Sequence, residues 1–364
     1  IDDVHMPDGA VTIDFVGVWD TVGAVGMPFE ELRELLNWIY PMRFSELTPS
    51  SRITRACHAL SIDDDRRTFH PELWNEKGIR ATQVDQVWFA GVHSNVGGGY
   101  VKHGMSLVAL DWMMAEAERC GLRFIERDRE YVHTHQDVHD ELYDARAGLG
   151  VYYRWEPRDI ARFCKDHSID LPKIHVSVFE RIANSTDGYA PINIPERLQV
   201  VGTGGARPWP TPKSLETITR RILSRQGSIT SQGADRSLLD GISRVITSGR
   251  LSYFIFVAVS ILVVGSMSAF WFFPQYLDIV TQACPYPIYA IGSIYVCLIV
   301  LVWGWSRIVD RQMEFVAQNH WQRHRQALRG ILSNNWSEQP SPATDDGQLG
   351  EALAQQAANN LVLK

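Results

Sequence analysis

The sequence predicts an α/β domain with a mainly parallel sheet, followed by a pair of membrane-crossing helices. Two observations predict the domain. Residues 11–19 (VTIDFVGVW) and 84–92 (VDQVWFAGV) are short runs of β-branched and aromatic residues, the signature of buried strands. Residues 106–120 (SLVALDWMMAEAERC) instead place apolar side chains at helical spacing and stop at Gly121, and residues 30–40 read as a further helix. Strands alternating with helices favour a parallel sheet. The third observation predicts the helix pair. Residues 251–273 and 286–305 are apolar runs without a charged side chain, each long enough to cross a hydrocarbon core of about 30 Å.

Tyr253, Trp271, Tyr276, Tyr286, Trp303 and Trp305 sit near the ends of these runs, where membrane interfaces favour amphipathic rings. A pair of buried core helices is the alternative reading. The connection between the runs, residues 274–285, has Asp278 and no Lys or Arg. Arg244 and Arg250 lie on one side of the pair, and Arg307, Arg311, Arg323 and Arg325 on the other. The positive-inside rule then places both flanking regions in the cytoplasm. The organisation expected is a domain over residues 1–200, a linker and basic juxtamembrane stretch over 201–250, a hairpin over 251–305, and a helix with a polar tail over 306–364. The chain begins with Ile1 and no basic leader, and so reads as a processed or incomplete product.

Composition narrows the function. A net charge of −7 argues against a nucleic-acid partner, because phosphate neutralisation needs a basic surface. Five scattered cysteines without a C-x-x-C pair suit reduced thiols better than a disulfide framework or a zinc site. The histidines of YVHTHQDVHDELYD, with His135 and His139 four residues apart, match no ligand spacing and read as a solvated polar face. No metal or cofactor is expected.

Two titratable residues occupy predicted strand ends, where open α/β sheets collect functional groups. Asp20 follows the first strand in GVWDTVGAVG, and His93 follows the second in FAGVHSNVGGGY. An acid after one strand and a histidine after a later one is the order of these two groups in α/β-hydrolases, where carboxylate and imidazole activate a nucleophile. Ordinary loop residues are the alternative. His58, in RACHALSIDDDRR, is a rival base. Beside it, Arg66 and Arg67 could bridge Asp63 to Asp65 in a structural ion-pair loop, or Arg66 could meet an anionic head group. Gly97 and Gly98 lack the lysine and serine of a phosphate loop and read as a turn close to His93.

The segments FVGVWDTVGAVGMP, ACHALSIDDDRRTFHPELW, QVWFAGVHSNVGGGY, AGLGVYYRWEPRDI and IHVSVFERIANSTDGYAPINIP occur in this order. Together, over about residues 11–196, they resemble the uncharacterised α/β-hydrolase domains that include the type VI secretion phospholipase effectors of bacteria. The resemblance implies an α/β-hydrolase-like fold and a Ser–Asp–His lipase or esterase with Asp20 as acid and His93 as general base. His58, Asp63, Arg66, Gly97 and Gly98 are expected to support the site or bind substrate. The family's nucleophile stands in a G-x-S-x-G-type elbow upstream of the acid's strand. Ser94 and Ser106, the latter a helix cap by its position, lack that setting, so the serine is expected upstream of Ile1. The partners expected are a lipid bilayer, a lipid or small ester substrate, and a secretion-system or immunity protein of unspecified kind. A catalytically inactive hydrolase-like domain serving as a membrane-bound sensor or scaffold is the competing reading, and a toxin whose hairpin inserts only into a target membrane is a third.

Overall fold

A computed structural model describes residues 11–23, 47–195, 197–203, 234–272 and 287–333. Five strands, β1 (Ile13–Trp19), β2 (Ile53–Ser61), β3 (Val84–Phe89), β4 (Lys173–His175) and β5 (Gln199–Val201), form one sheet in sequential order. Every pairing is parallel. The carboxyl ends of all five strands therefore share one edge.

Side-chain alternation sorts the core onto two faces. Cys57 and Ala59 of β2 and Val87 and Phe89 of β3 point to one face. There Trp112 and Met113 of α2 (Gly104–Arg119) cover them, α1 (His93–Gly97) having come first in the chain. Leu60, Trp88 and Ile174 point to the other face. They meet Ile160 and Cys164 of α4 (Ile160–Asp166) and Phe179 and Ile182 of α5 (Val176–Asn184). The remaining short helix, α3 (Glu126–His135), packs on α2 through Val132, against Leu107 and Met114. Buried on both faces, β2 and β3 can form only inside a sheet covered by helices.

Two long helices follow, α6 (Ala234–Phe272) and α7 (Pro287–Ser333). Tyr295 of α7 donates a 2.6 Å hydrogen bond to Ser266 of α6, and Ile299 and Val300 face Phe256 farther back along α6. The two run antiparallel. Their most apolar windows are Ile246–Ser266 and Gly292–Gln322, with mean hydropathy 1.8 and 1.7. Only 11% and 6% of those windows are buried, so most of each lies outside the core of the α/β domain.

Both helices are anchored to the domain at one end. Gly249 of α6 lies so close under the Trp155 ring that an added Cβ would stand 2.5 Å from it. Tyr253 donates to the Tyr152 carbonyl, and Arg250 pairs with Glu156 at 3.1 Å. The far half of α7 joins the sheet's second core through Trp321, Leu328 and Leu332. The Trp321 indole donates to the Pro191 carbonyl at 2.7 Å. Arg325 and Arg329 donate to the carbonyls of Ile182 and Ala183, which closes the carboxyl end of α5 with positive charge.

Several expectations shift. β1 begins two residues late, and β3 stops at Phe89 because Gly91 takes a φ of +112° and turns the chain. α2 begins at Gly104, which places Ser106 inside its first turn, donating to the His103 carbonyl, instead of at the cap. Residues 234–250, expected as linker, are the start of α6; Leu238, Leu239, Ile242, Val245 and Ile246 recur at helical spacing. The helix expected after the second span is continuous with it in α7. The helix expected over residues 30–40, the connection 274–285 and the polar tail lie outside the described residues, as does most of the linker.

Candidate active site

The carboxyl edge of the sheet gathers the site. Asp20 follows β1 with its backbone at φ +40°, a conformation that non-glycine residues hold only when their surroundings enforce it. The enforcement is visible. Its N–H donates to the Ala59 carbonyl at 2.7 Å, and its side chain is fully buried. Oδ1 accepts from the Ser61 N–H at 2.9 Å and from Arg158 at 2.6 Å. Oδ2 accepts from Ser61 Oγ at 3.1 Å, from the second Arg158 nitrogen at 2.8 Å and from His93 Nδ1 at 2.8 Å. Burial alone would raise this carboxyl. The Arg158 guanidinium, by charge and hydrogen bonds, and then His93 hold it well below the usual carboxylate range.

His93 opens α1 immediately after the Gly91 turn. A carboxylate is acceptor-only, so the His93 proton sits on Nδ1 and the Nε2 lone pair is left available. The side chain remains 29% exposed, unlike its partner. Among the described residues no hydroxyl is hydrogen-bonded to Nε2. Ser94, the next residue of α1, has no hydrogen bond to the ring.

The loop after β2 supports this pair. Asp64 accepts the backbone N–H of His93 at 3.1 Å and pairs with Arg66 through two side-chain contacts, of 2.9 and 2.6 Å. Arg66 thus engages Asp64 and bridges neither Asp63 nor Asp65. Its guanidinium stacks 3.4 Å above Phe69, whose ring meets the His93 ring edge-on. Asp63 accepts from the Gly91 N–H at 2.6 Å and from the Tyr189 hydroxyl at 2.9 Å, and burial pushes its carboxyl up to about 6. Asp65 is pushed up to about 7, again by burial.

His58 stands behind Asp20. Its Nε2 accepts the Thr21 N–H at 3.0 Å, and burial pushes the ring down to about 4 and closes both nitrogens off from solvent. A rival base would need an open nitrogen facing substrate; His58 instead ties the chain just past Asp20 to β2. Gly97 and Gly98 end α1, and the φ of +88° at Gly98 is one that glycine adopts freely. The patch histidines are divided. His133 approaches Asp111, His135 bonds the Tyr131 carbonyl, and His139 meets Thr186 and Glu180. Among the described residues no set of three metal-ligating side chains converges.

No sequence pattern marks Arg158 or Ser61; Arg158 lies in AGLGVYYRWEPRDI, where only that segment's likeness to the family points to it.

Comparison with known families agrees with the resemblance. Residues 3–116 match the family described as T6SS phospholipase effector Tle1-like, catalytic domain. The match spans Asp20, the loop after β2 and His93, and ends within α2, before Arg158 and the long helices. It supports kinship with the type VI secretion phospholipase effectors and points to hydrolase activity on a lipid. No curated protein and no solved structure matches the chain.

Proposed function

We propose that this chain carries the acid and general base of a serine hydrolase that cleaves acyl esters of glycerophospholipids at a membrane to which its helical hairpin anchors it. The observation that carries the reading is the 2.8 Å contact between a fully buried, ionised Asp20 and a partly exposed His93 at the carboxyl edge of a parallel sheet.

The mechanism follows from the donors and acceptors. Asp20 fixes the His93 tautomer and stabilises the imidazolium, while Nε2 takes the proton of a serine hydroxyl as its oxygen attacks the ester carbonyl. The imidazolium returns that proton to the leaving alcohol oxygen. Water, deprotonated by the same nitrogen, then releases the fatty acid. Arg158 keeps Asp20 ionised throughout, so the carboxylate does not itself take the proton. The serine is assigned upstream of Ile1, in the elbow that the family resemblance implies.

Anchoring is supported by two long, exposed apolar helices that run antiparallel and meet the α/β domain at the same end. With the basic residues flanking both spans, this favours a hairpin whose two ends lie on the domain's side of the membrane, in the cytoplasm. The test is phospholipid hydrolysis on liposomes by the full-length protein. His93→Ala and Asp20→Asn should each lower turnover on the order of 10³- to 10⁴-fold. Wild-type turnover by either variant would remove the assignment.

A further inference from the structure

The junction between the α/β domain and the two long helices borders an open cavity of about 350 Å³, at the lower end of ordinary ligand pockets. Trp155, Tyr253, Phe256, Ile299, Val300 and Trp303 form most of its wall. The domain supplies Trp155, and the other five come from the two long helices. Arg146 is the single charged residue among those lining it.

One wall of this cavity backs directly onto the candidate site. Trp155 forms an antiparallel bridge with Arg66, fixed by hydrogen bonds from Arg67 N to the Arg154 carbonyl and from Glu156 N to the Asp65 carbonyl, both 2.8 Å. Asp64, on the same short segment, holds the His93 backbone. The aromatic contacts run the same way. Phe69, against His93, also meets Tyr153, while the neighbouring Tyr152 packs on Phe256 of α6. The cavity is thus bounded by apolar side chains of the two long helices on one side and by Arg146, Val151 and Trp155 of the domain on the other, with the loop that supports His93 bridged to Trp155.

We infer that this cavity receives one acyl chain of a phospholipid drawn from the bilayer beside the hairpin, and so presents its ester to the Asp20–His93 pair. The inference rests on the hydrolase reading and adds the place where the substrate's tail is held. A water occupies about 30 Å³ and a methylene about as much, so the space fits on the order of ten methylenes and is too small for a helix or strand of another protein. An apolar wall continuous with the exposed faces of α6 and α7 is reached by a lipid chain without crossing water.

The test is photolabelling of the full-length protein, which includes the segment that precedes Ile1, in lipid nanodiscs. The probe is a phosphatidylcholine carrying a diazirine in one acyl chain, and a diazirine fatty acid serves as a second arm. The expected result is phospholipid label concentrated on the buried lining residues Trp155 and Tyr253 over the exposed hairpin residues Val264 and Val296. Val300→Trp, which fills the space, should lower cavity label about tenfold, and Phe256→Ala, which enlarges it, should raise it. Even labelling of all hairpin positions, labelling by the fatty acid alone, or no response to either variant would overturn the inference. Labelling needs no turnover, so the His93→Ala protein is labelled in parallel. Cavity label without hydrolysis by the wild type would reject the hydrolase reading alone, and hydrolysis without cavity label would reject the cavity alone.

Discussion

Arg158→Met isolates the electrostatics on which the site depends. The substitution keeps side-chain length and removes the charge from a pair in which both partners are fully buried. Asp20 would retain Ser61 N, Ser61 Oγ and His93 but lose two charge-assisted bonds of 2.6 and 2.8 Å. The Ser61 and Phe69 carbonyls would lose their Arg158 donors as well. At about 4 Å between charge centres and an effective dielectric near 20, the lost attraction is about 4 kcal/mol. That agrees with the roughly 3–5 kcal/mol cost of removing one partner from a buried pair. Urea unfolding in detergent, followed by tryptophan fluorescence at pH 7, reads this cost. The sign of its pH dependence is also set. In the wild type the depressed Asp20 carboxyl adds stability above its ordinary value of 3.8, and that contribution fades as pH falls towards its folded value. In the variant, burial acts without its main opponent and lifts the carboxyl, so protonation relieves the strain. The stability gap should therefore narrow from pH 7 to pH 4. The double variant Asp20→Asn/Arg158→Met should cost about 3 kcal/mol less than the two single changes together. A single-variant cost below about 1 kcal/mol, or additive costs, would refute the reasoning.

Three further outcomes are expected. Asp65, raised from 3.8 to about 7, contributes stability that is complete below 3.8 and is lost as pH rises through 7. The wild-type-minus-Asp65→Asn stability difference should fall across that window by a few kcal/mol, and a flat difference curve would contradict it. Trp321→Ala should cost about 3–5 kcal/mol and raise hydrogen exchange along residues 318–332, because it empties part of the core and frees the Pro191 carbonyl. Unchanged exchange would show that α7 docks without it. Gly91→Ala places a Cβ 2.4 Å from Asn95 at a φ of +112°, and so displaces the turn that delivers His93. Liposome hydrolysis should fall on the order of 100-fold, and near-normal turnover would show that the turn tolerates the change.

The sequence shows parts of this architecture more clearly than others, for physical reasons. β1, β3 and α2 announce themselves because their apolar residues follow one period over many positions. β2 does not, because Arg55 and His58 interrupt ITRACHALS; their partners, Asp85 and the Thr21 N–H, lie in other segments. β4 and β5 have three residues each, too short for any period. Asp20 and His93 are visible as polar residues at strand ends beside glycines. Arg158 is not, since its place depends on a fold that brings it 138 residues back to Asp20. The run of three acids reads as one ion-pair loop, yet its members divide: Asp64 takes the arginine, Asp63 takes Gly91 and Tyr189, and Asp65 is raised by burial.

The docking of α7 also bears on how the chain is made. Trp321 closes a contact with Pro191 across 130 residues, and the whole hairpin lies between them in the sequence. Synthesis therefore delivers the last pieces of the α/β core only after both long helices have emerged. Until then one side of α5 is bare, and its final carbonyls lack the arginines that close them. If α7 failed to return to α5, Trp321, Leu328 and Leu332 would be out of reach and the core would stay unfinished. Completion of the α/β core thus depends on how the last helix comes back to it.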